Sequence, residues 1–293
     1  MGEHEQTFAT LIKSPVSEDI PSPILEHALS QFPFVPLKGA FNTRDLGLQP
    51  YLRPGLIYRS GSLAGLDDKG KSILTDVLGV QTVFDLRSAG ERNAFPLPSI
   101  ENVQILWLPS DSSSAANLEI SDFANLEADT NPWEGGCRGW SKEYRQVLML
   151  YKEPFQKVLG HLLHNPSVPI LFNCTAGRDR TGVLAALLLS LAGVPDEHVA
   201  FDYALSRVGV EPVKNFLAEI VKKWKPDWRE ETPGITQFSN TRAEYMERFL
   251  QDVRKAYPGE EGADWAETYA MYELSFTKDE VQKIRNNIRG ELE

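Results

Sequence analysis

The feature that most restricts this chain is the run from Val168 to Val194, where a short apolar strand, a polar loop and an apolar helix follow without interruption. Ile170-Leu171-Phe172 is entered past Pro166 and Pro169, the pattern of a strand covered on both faces. From Val183 to Val194 the chain is rich in Leu and Ala, Ser190 is its lone polar side chain, and Gly193 and Pro195 close it. Apolar on every side, this segment reads as a helix sunk in a core. Its length of about twelve residues is too short to cross a bilayer.

Between strand and helix stand Cys174, Thr175, Ala176, Gly177, Arg178, Asp179, Arg180 and Thr181, so five residues separate a cysteine from an arginine. Small residues in such a turn let successive backbone N–H groups converge on a tetrahedral oxyanion, and the helix N-terminus adds its dipole. Arg180 can grip two oxygens of that anion at once, which a lysine cannot. The same field favours the thiolate of Cys174 and makes it a nucleophile. Thr175, Ala176, Gly177, Arg178 and Thr181 are the expected lining of this cradle. The plainer alternative is a buried structural cysteine followed by an ordinary polar loop.

The string NCTAGRDRTG resembles the HC-x-AGKDRTG signature of the atypical tyrosine phosphatases of bacteria and fungi. The likeness extends to Phe41–Gly47, Leu56–Gly61, Val83–Arg87 and Asp202–Arg207, and so to nearly everything after residue 40. Asn173 stands where that family has His, and Arg178 where it has Lys. The resemblance implies an α/β fold: a central, mostly parallel sheet flanked by helices, with a C-terminal helical lid at about residues 225–293. It also implies hydrolysis of a phosphate monoester through a phosphocysteine intermediate, with neither metal nor cofactor. Cys174 attacks phosphorus, Arg180 and the loop amides hold the equatorial oxygens, and an acid protonates the departing oxygen. Asp179 is the acid chosen here, being fixed beside Arg180. Its competing role is to cap the helix, and Asp111, Asp122 and Asp129 upstream are the other candidates.

The expected organisation is a flexible N-terminal tail with a short helix over residues 1–33 and a phosphatase domain over 34–293. Strands are predicted at Leu56–Arg59, Gln81–Leu86 and Val103–Leu108, with a helix from Asp67 to Leu78 capped by Asp67. Asp85 and Arg87 then fall at the same sheet edge as Cys174, where parallel sheets hold ligands. Asp85 is the candidate to orient Arg180, and both residues are candidate substrate contacts. Arg44 and Arg59 are read as framework ion pairs. Pro109–Gly139 is long for a loop and could cover the site, with Cys137 in a loop at its end. One helix is predicted from Lys142 to His164, bent at Pro154 and carrying an apolar core stripe that includes Tyr144, and amphipathic helices at Thr241–Ala256, Gly262–Leu274 and Thr277–Ile288 follow.

Net charge is −11, which speaks against nucleic acid and against stable association with an anionic membrane. The chain's two cysteines allow no disulfide framework. With no signal peptide or apolar span legible, a cytoplasmic location is expected. The partner is then a phosphorylated protein or small phosphorylated substrate. A phosphoinositide or metabolite phosphatase shares the same chemistry, whereas a phosphoprotein-binding module would have lost Cys174 or Arg180. Oligomeric state is not legible here.

Overall fold

Extended backbone sends successive side chains to opposite faces, and the strands obey this closely. Ile57, Phe84, Ile170 and Phe172 enter the main core, while Tyr58, Val83 and Leu171 enter a second core on the other face. The computed structural model describes residues 8–110, 118–259 and 264–291. Within them β1 (Arg44–Asp45), β2 (Ile57–Ser60), β3 (Thr82–Asp85), β4 (Gln104–Trp107) and β5 (Ile170–Asn173) form one sheet in the order β1-β2-β5-β3-β4. All pairs are parallel except β1 with β2. Register sets Ser60, Asn173 and Asp85 side by side at the C-terminal ends of three strands. Helices flank this sheet, as the α/β reading required.

The helices used below are α1 (Ala89–Ala94), α2 (Glu134–Leu150), α3 (Lys152–His164), α4 (Asp179–Leu191), α5 (Asp196–Ala204), α6 (Lys214–Trp224), α7 (Ala243–Ala256), α8 (Trp265–Tyr272) and α9 (Lys278–Arg289). Every residue of α4 from Thr181 to Leu191 is buried, as its unpatterned apolar sequence demands. Asp67 caps its helix by accepting from the Gly70 N–H at 2.8 Å, but after Ser72 the helix widens into a π turn at Ile73–Val77.

Three expectations need correction. The single helix over 142–164 is two helices, α2 and α3, broken at Tyr151. Pro154 sits in the first turn of α3, where a missing N–H costs no intrahelical bond. Cys137 lies in the first turn of α2 rather than in a loop. The glycines around it mark close helix crossings: a Cβ on Gly136 would stand 2.5 Å from the Tyr245 ring, and one on Gly139 would stand 2.4 Å from Phe123. Finally, the N-terminal segment is packed from Phe8 onward. Phe8, Ile12 and Ile20 are buried with Phe34, Leu205 and Val208 in a third cluster, because the apolar residues among its acids and prolines face one side. The short helix expected there spans Ser22–Leu29.

Residues 225–259 and 264–291 supply α7, α8 and α9, whose Phe249, Leu250, Trp265, Tyr269, Ile284 and Ile288 belong to the main core. Thr277 and Glu280 form the capping box that starts α9. This helical region is an outer layer of the core. By contrast α6, which carries no buried residue, borders the groove beside the loop through Phe216.

Candidate active site

Cys174 follows β5 directly and is 1% exposed. The loop after it owes its shape to donors from β2 and the segment before β1. The Ser62 N–H donates to the Thr175 carbonyl at 3.0 Å, and Asn42 Nδ2 donates to the carbonyls of Ala176 at 3.0 Å and Gly177 at 3.1 Å. Arg59 Nη2 donates to the Gly177 carbonyl at 2.8 Å. A trans peptide points its N–H opposite to its carbonyl, so these ties turn the N–H groups of Ala176, Gly177 and Arg178 to the inner side of the turn. Those N–H groups donate to no acceptor among the described residues. Gly177 has φ +67°, and a Cβ there would meet the Gly61 nitrogen at 2.5 Å. Glycine is therefore required twice over.

The framework behind the loop is ionic. Asp202 on α5 accepts from Arg44 Nε at 2.8 Å and also pairs with Arg59. Both arginines are fully buried, and Asn42 Oδ1 accepts from Arg44 Nη1 at 2.5 Å. Asn42 thus links a buried cation to two loop carbonyls, and its φ of +54° suits the short polar side chain of asparagine.

Arg180 is not oriented by Asp85. The Asp85 carboxylate is taken by Arg87, two residues along the same strand end, whose Nε and Nη2 donate to it at 2.9 Å each. Arg87 Nη1 then reaches the Phe95 carbonyl at 2.7 Å, so this pair clasps the sheet edge. Glu91 in the first turn of α1 does what Asp85 was expected to do. It accepts from Arg180 Nη1 at 2.7 Å and Nη2 at 2.6 Å, and from Thr175 Oγ1 at 2.5 Å. Against the burial that opposes ionisation, Arg180 holds the Glu91 carboxyl well below its usual range.

Asp179 is the first residue of α4, and its carboxylate makes no capping bond. Oδ1 accepts instead from Tyr144 at 3.0 Å and from Arg178 Nε at 2.9 Å. Arg178, expected among the side chains lining the cradle, lies instead with its guanidinium 4.5 Å above the Trp140 ring. Tyr144 also meets the Tyr203 hydroxyl at 2.6 Å, and burial raises both phenols. Thr181 Oγ1 is buried with no partner among the described residues, as is Asn173 Oδ1. Of the upstream acids, Asp122 is paired with Lys142 at 2.6 Å and Asp129 with Arg138 at 2.8 Å, both against α2. Asp111 lies outside the described residues. Burial first, with the nearby Glu134 and Glu244 charges, pushes the Cys137 thiol up to about 12.

Beside Thr175 opens a groove of about 350 Å³ lined by Phe41, Phe95, Val213 and Phe216 together with Arg87 and Ser62. Phe95 and Phe216 meet edge to face at 5.4 Å. Glu91, Tyr144 and Asn42 were missed as site residues. Asn42 stood in a segment that carries the resemblance, and Glu91 had the spacing of a capping box after Ser88; Tyr144 looked like any core aromatic.

A family model described as "Tyrosine phosphatase family" matches residues 35–290. The chain belongs to the tyrosine phosphatase family. Among its relatives, the triple specificity protein phosphatase PtpB of Mycobacterium tuberculosis is 29% identical over 254 residues, covering 75% of this chain and 89% of the relative. A tyrosine-protein phosphatase of Nostoc commune is 28% identical over 148 residues, covering 50% of this chain and 47% of the relative. The core catalytic domain of the PP-IP phosphatase Siw14 from S. cerevisiae is 15% identical, covers 58% of this chain and 88% of that one, and superposes with a TM-score of 0.29, too loosely to carry an argument. This phosphatase is therefore a cysteine-dependent hydrolase. Among its described residues no helix is long and apolar enough to cross a membrane.

Proposed function

We propose that this phosphatase acts on phosphotyrosine in proteins, with phosphoserine and phosphothreonine as lesser substrates. The observation that carries the reading is the apolar groove beside the loop. A tyrosyl ring fits between Phe41, Phe95 and Phe216 while its phosphate enters the cradle. Among the described residues Arg178 is committed to Asp179 and Trp140, and Arg87 in the groove to Asp85, so that Arg180 is the cation offered to phosphate, which favours a singly phosphorylated substrate over a phosphoinositide.

In this mechanism the Cys174 sulfur attacks phosphorus: an S–P bond forms and the P–O bond to the tyrosyl oxygen breaks. Asp179 delivers its proton to that oxygen, freeing tyrosine. Water then attacks phosphorus, giving its proton back to Asp179. The S–P bond breaks, phosphate leaves, and the thiolate is restored. The inward amides and Arg180 stabilise the equatorial oxygens in both steps. The unpartnered Thr181 hydroxyl is suited to bond the departing sulfur.

Phosphopeptides, phosphoinositide vesicles and small phosphates offered to one enzyme preparation test the reading. Phosphotyrosine should lead in kcat/KM by about tenfold or more, the size of discrimination an apolar pocket provides. Phe95→Ala and Phe216→Ala should erase that lead without slowing small aliphatic phosphates. Cys174→Ser should abolish turnover yet still bind phosphate. Faster turnover of phosphoinositide would overturn the substrate assignment, and hydrolysis by Cys174→Ser would overturn the mechanism.

A further inference from the structure

A carboxylic acid that gives up a proton must present one defined oxygen to the group that takes it, and the surroundings of Asp179 distinguish its two oxygens. Oδ1 accepts from the Tyr144 hydroxyl at 3.0 Å and from Arg178 Nε at 2.9 Å, which fills the acceptor sites of one carboxylate oxygen. Oδ2 accepts from no group among the described residues, and the side chain is 28% exposed. A proton on this carboxyl therefore resides on Oδ2, the oxygen left open.

The Tyr144 hydroxyl is itself fixed. Its ring is fully buried on α2, stacked on Trp140 at 5.4 Å and edge-on to Phe249 at 5.8 Å. Its oxygen lies 2.6 Å from the Tyr203 hydroxyl on α5. A hydroxyl has a single proton, and Tyr144 gives its own to Asp179, so Tyr203 is the donor to Tyr144. The chain of bonds thus has one direction, from Tyr203 to Tyr144 to Asp179. An aspartate in the first turn of a helix otherwise turns to the free N–H groups of that helix start. The hydroxyl keeps Asp179 from doing so.

We propose that Tyr144 is the positioning residue for Asp179: its hydroxyl holds Oδ1 and so turns Oδ2 to the departing oxygen. This rests on the reading of Asp179 as the acid. When the P–O bond breaks, the Oδ2–H bond breaks with it and the O–H bond of the freed alcohol forms. The charge left on the carboxylate is met at Oδ1 by Tyr144 and Arg178. In the second step Oδ2 takes its proton back from water, and Tyr144 keeps its own throughout.

Tyr144→Phe removes one oxygen atom and keeps the ring. With phenyl phosphate, kcat/KM, which covers the steps up to P–O cleavage, should fall about tenfold or more, a share of what acid catalysis supplies to a basic leaving group. With nitrophenyl phosphate it should fall less than about twofold. Inhibition by inorganic phosphate should stay within about twofold of the parent, because the loop amides and Arg180 are untouched. Tyr269→Phe is the stability control, deleting a buried hydroxyl that donates to the Leu148 carbonyl, also on α2, at 2.6 Å. It should lower Tm comparably and leave the ratio of the two substrates unchanged. In an Asp179→Asn background Tyr144→Phe should add less than about twofold.

Should Tyr144→Phe fail to fold, Asp179→Glu, which keeps the acid but carries it past the Tyr144 hydroxyl, is read the same way. Equal loss on both substrates, phosphate inhibition that weakens in step with the rates, or phenyl phosphate turned over as fast as by the parent overturns the proposal. So does the same selective loss in Tyr269→Phe. Selective slowing of phenyl phosphate by Asp179→Asn beside an unselective Tyr144→Phe sinks the positioning role alone. Equal slowing of both substrates by Asp179→Asn removes the acid and the positioning role together.

Discussion

Asp179 and Glu143 show how much a residue's neighbours decide. Asp179 has the place of an N-cap candidate, yet its carboxylate turns to Tyr144 and Arg178, so its replacement should be read in chemistry more than in folding. Asp179→Asn is expected to slow phenyl phosphate at least about a hundredfold and nitrophenyl phosphate far less, since acid catalysis matters when the departing oxygen is basic. Equal slowing of both would pass the role to another acid. Glu143, next to Tyr144, has Oε1 buried without a partner among the described residues, and burial with the Asp122 and Asp179 charges raises its carboxyl to about 7 against the opposing pull of Lys142 and Lys225. The folded state then prefers the protonated form. Stability is lost as pH rises from the unfolded value of 4.5 to about 7 and stays lost above it. Glu143→Gln should therefore raise stability at pH 8 by about 1 kcal/mol, after discounting for the solvent that still reaches this group, and change little at pH 4. Thermal melts at the two pH values check it, and an equal shift at both would refute the assignment.

At the scale of elements, what the sequence disclosed was whatever depends on local pattern. The strand Ile170–Asn173 and the helix Asp179–Leu191 follow from unbroken apolar runs bounded by Pro and Gly, and Asp67 and Thr277 announce their caps. Elements shaped by contact with distant segments were not legible. Gly135, Gly136 and Gly139 look like a loop until Phe123 and Tyr245 are seen crossing α2 at the distance of a missing Cβ. Choosing between Asp85 and Glu91 as the partner of Arg180 likewise required knowing that Arg87 folds back on its own strand end. Gly136→Ala tests the first point. Its methyl would sit 2.5 Å from the Tyr245 ring, which is fully buried. Overpacking of this kind costs about 2 kcal/mol and should lower Tm by roughly 5 °C. An unchanged Tm would mean that α2 and α7 have room to part.

Over the whole molecule, ion pairs and backbone ties run from the N-terminal segment to the catalytic loop, and none of that connection could be read from spacing because its members are up to 193 residues apart. Arg207 is fully buried, with Nε donating to the Ser14 carbonyl at 3.0 Å and Nη2 to those of Pro15 at 3.0 Å and Glu18 at 2.7 Å; Nη1 pairs with Glu211. Glu211 accepts in turn from the Ile20 N–H at 2.8 Å. One residue before Arg207, Ser206 Oγ accepts from Arg44, and Asp202 holds Arg44 and Arg59, which tie the loop through Asn42 and Gly177. A segment whose composition suggested a tail is thus the outermost link of the site's support. Removing residues 1–20 takes away buried Phe8, Ile12 and Ile20 and leaves a buried guanidinium short of three acceptors. Loss of partners for a buried charge alone costs about 3–5 kcal/mol. The truncated enzyme should melt at least about 10 °C lower. Its kcat, measured well below that melting point, should fall along with phosphate affinity, because α5 no longer holds Arg44 and Arg59 in place. Arg207→Met provides the control: it deletes the charge that needs those carbonyls while filling the space, and should recover part of the lost stability in the truncated chain while costing stability in the full one. A truncated chain that melts and turns over like the parent would show that the loop's support ends at Asp202.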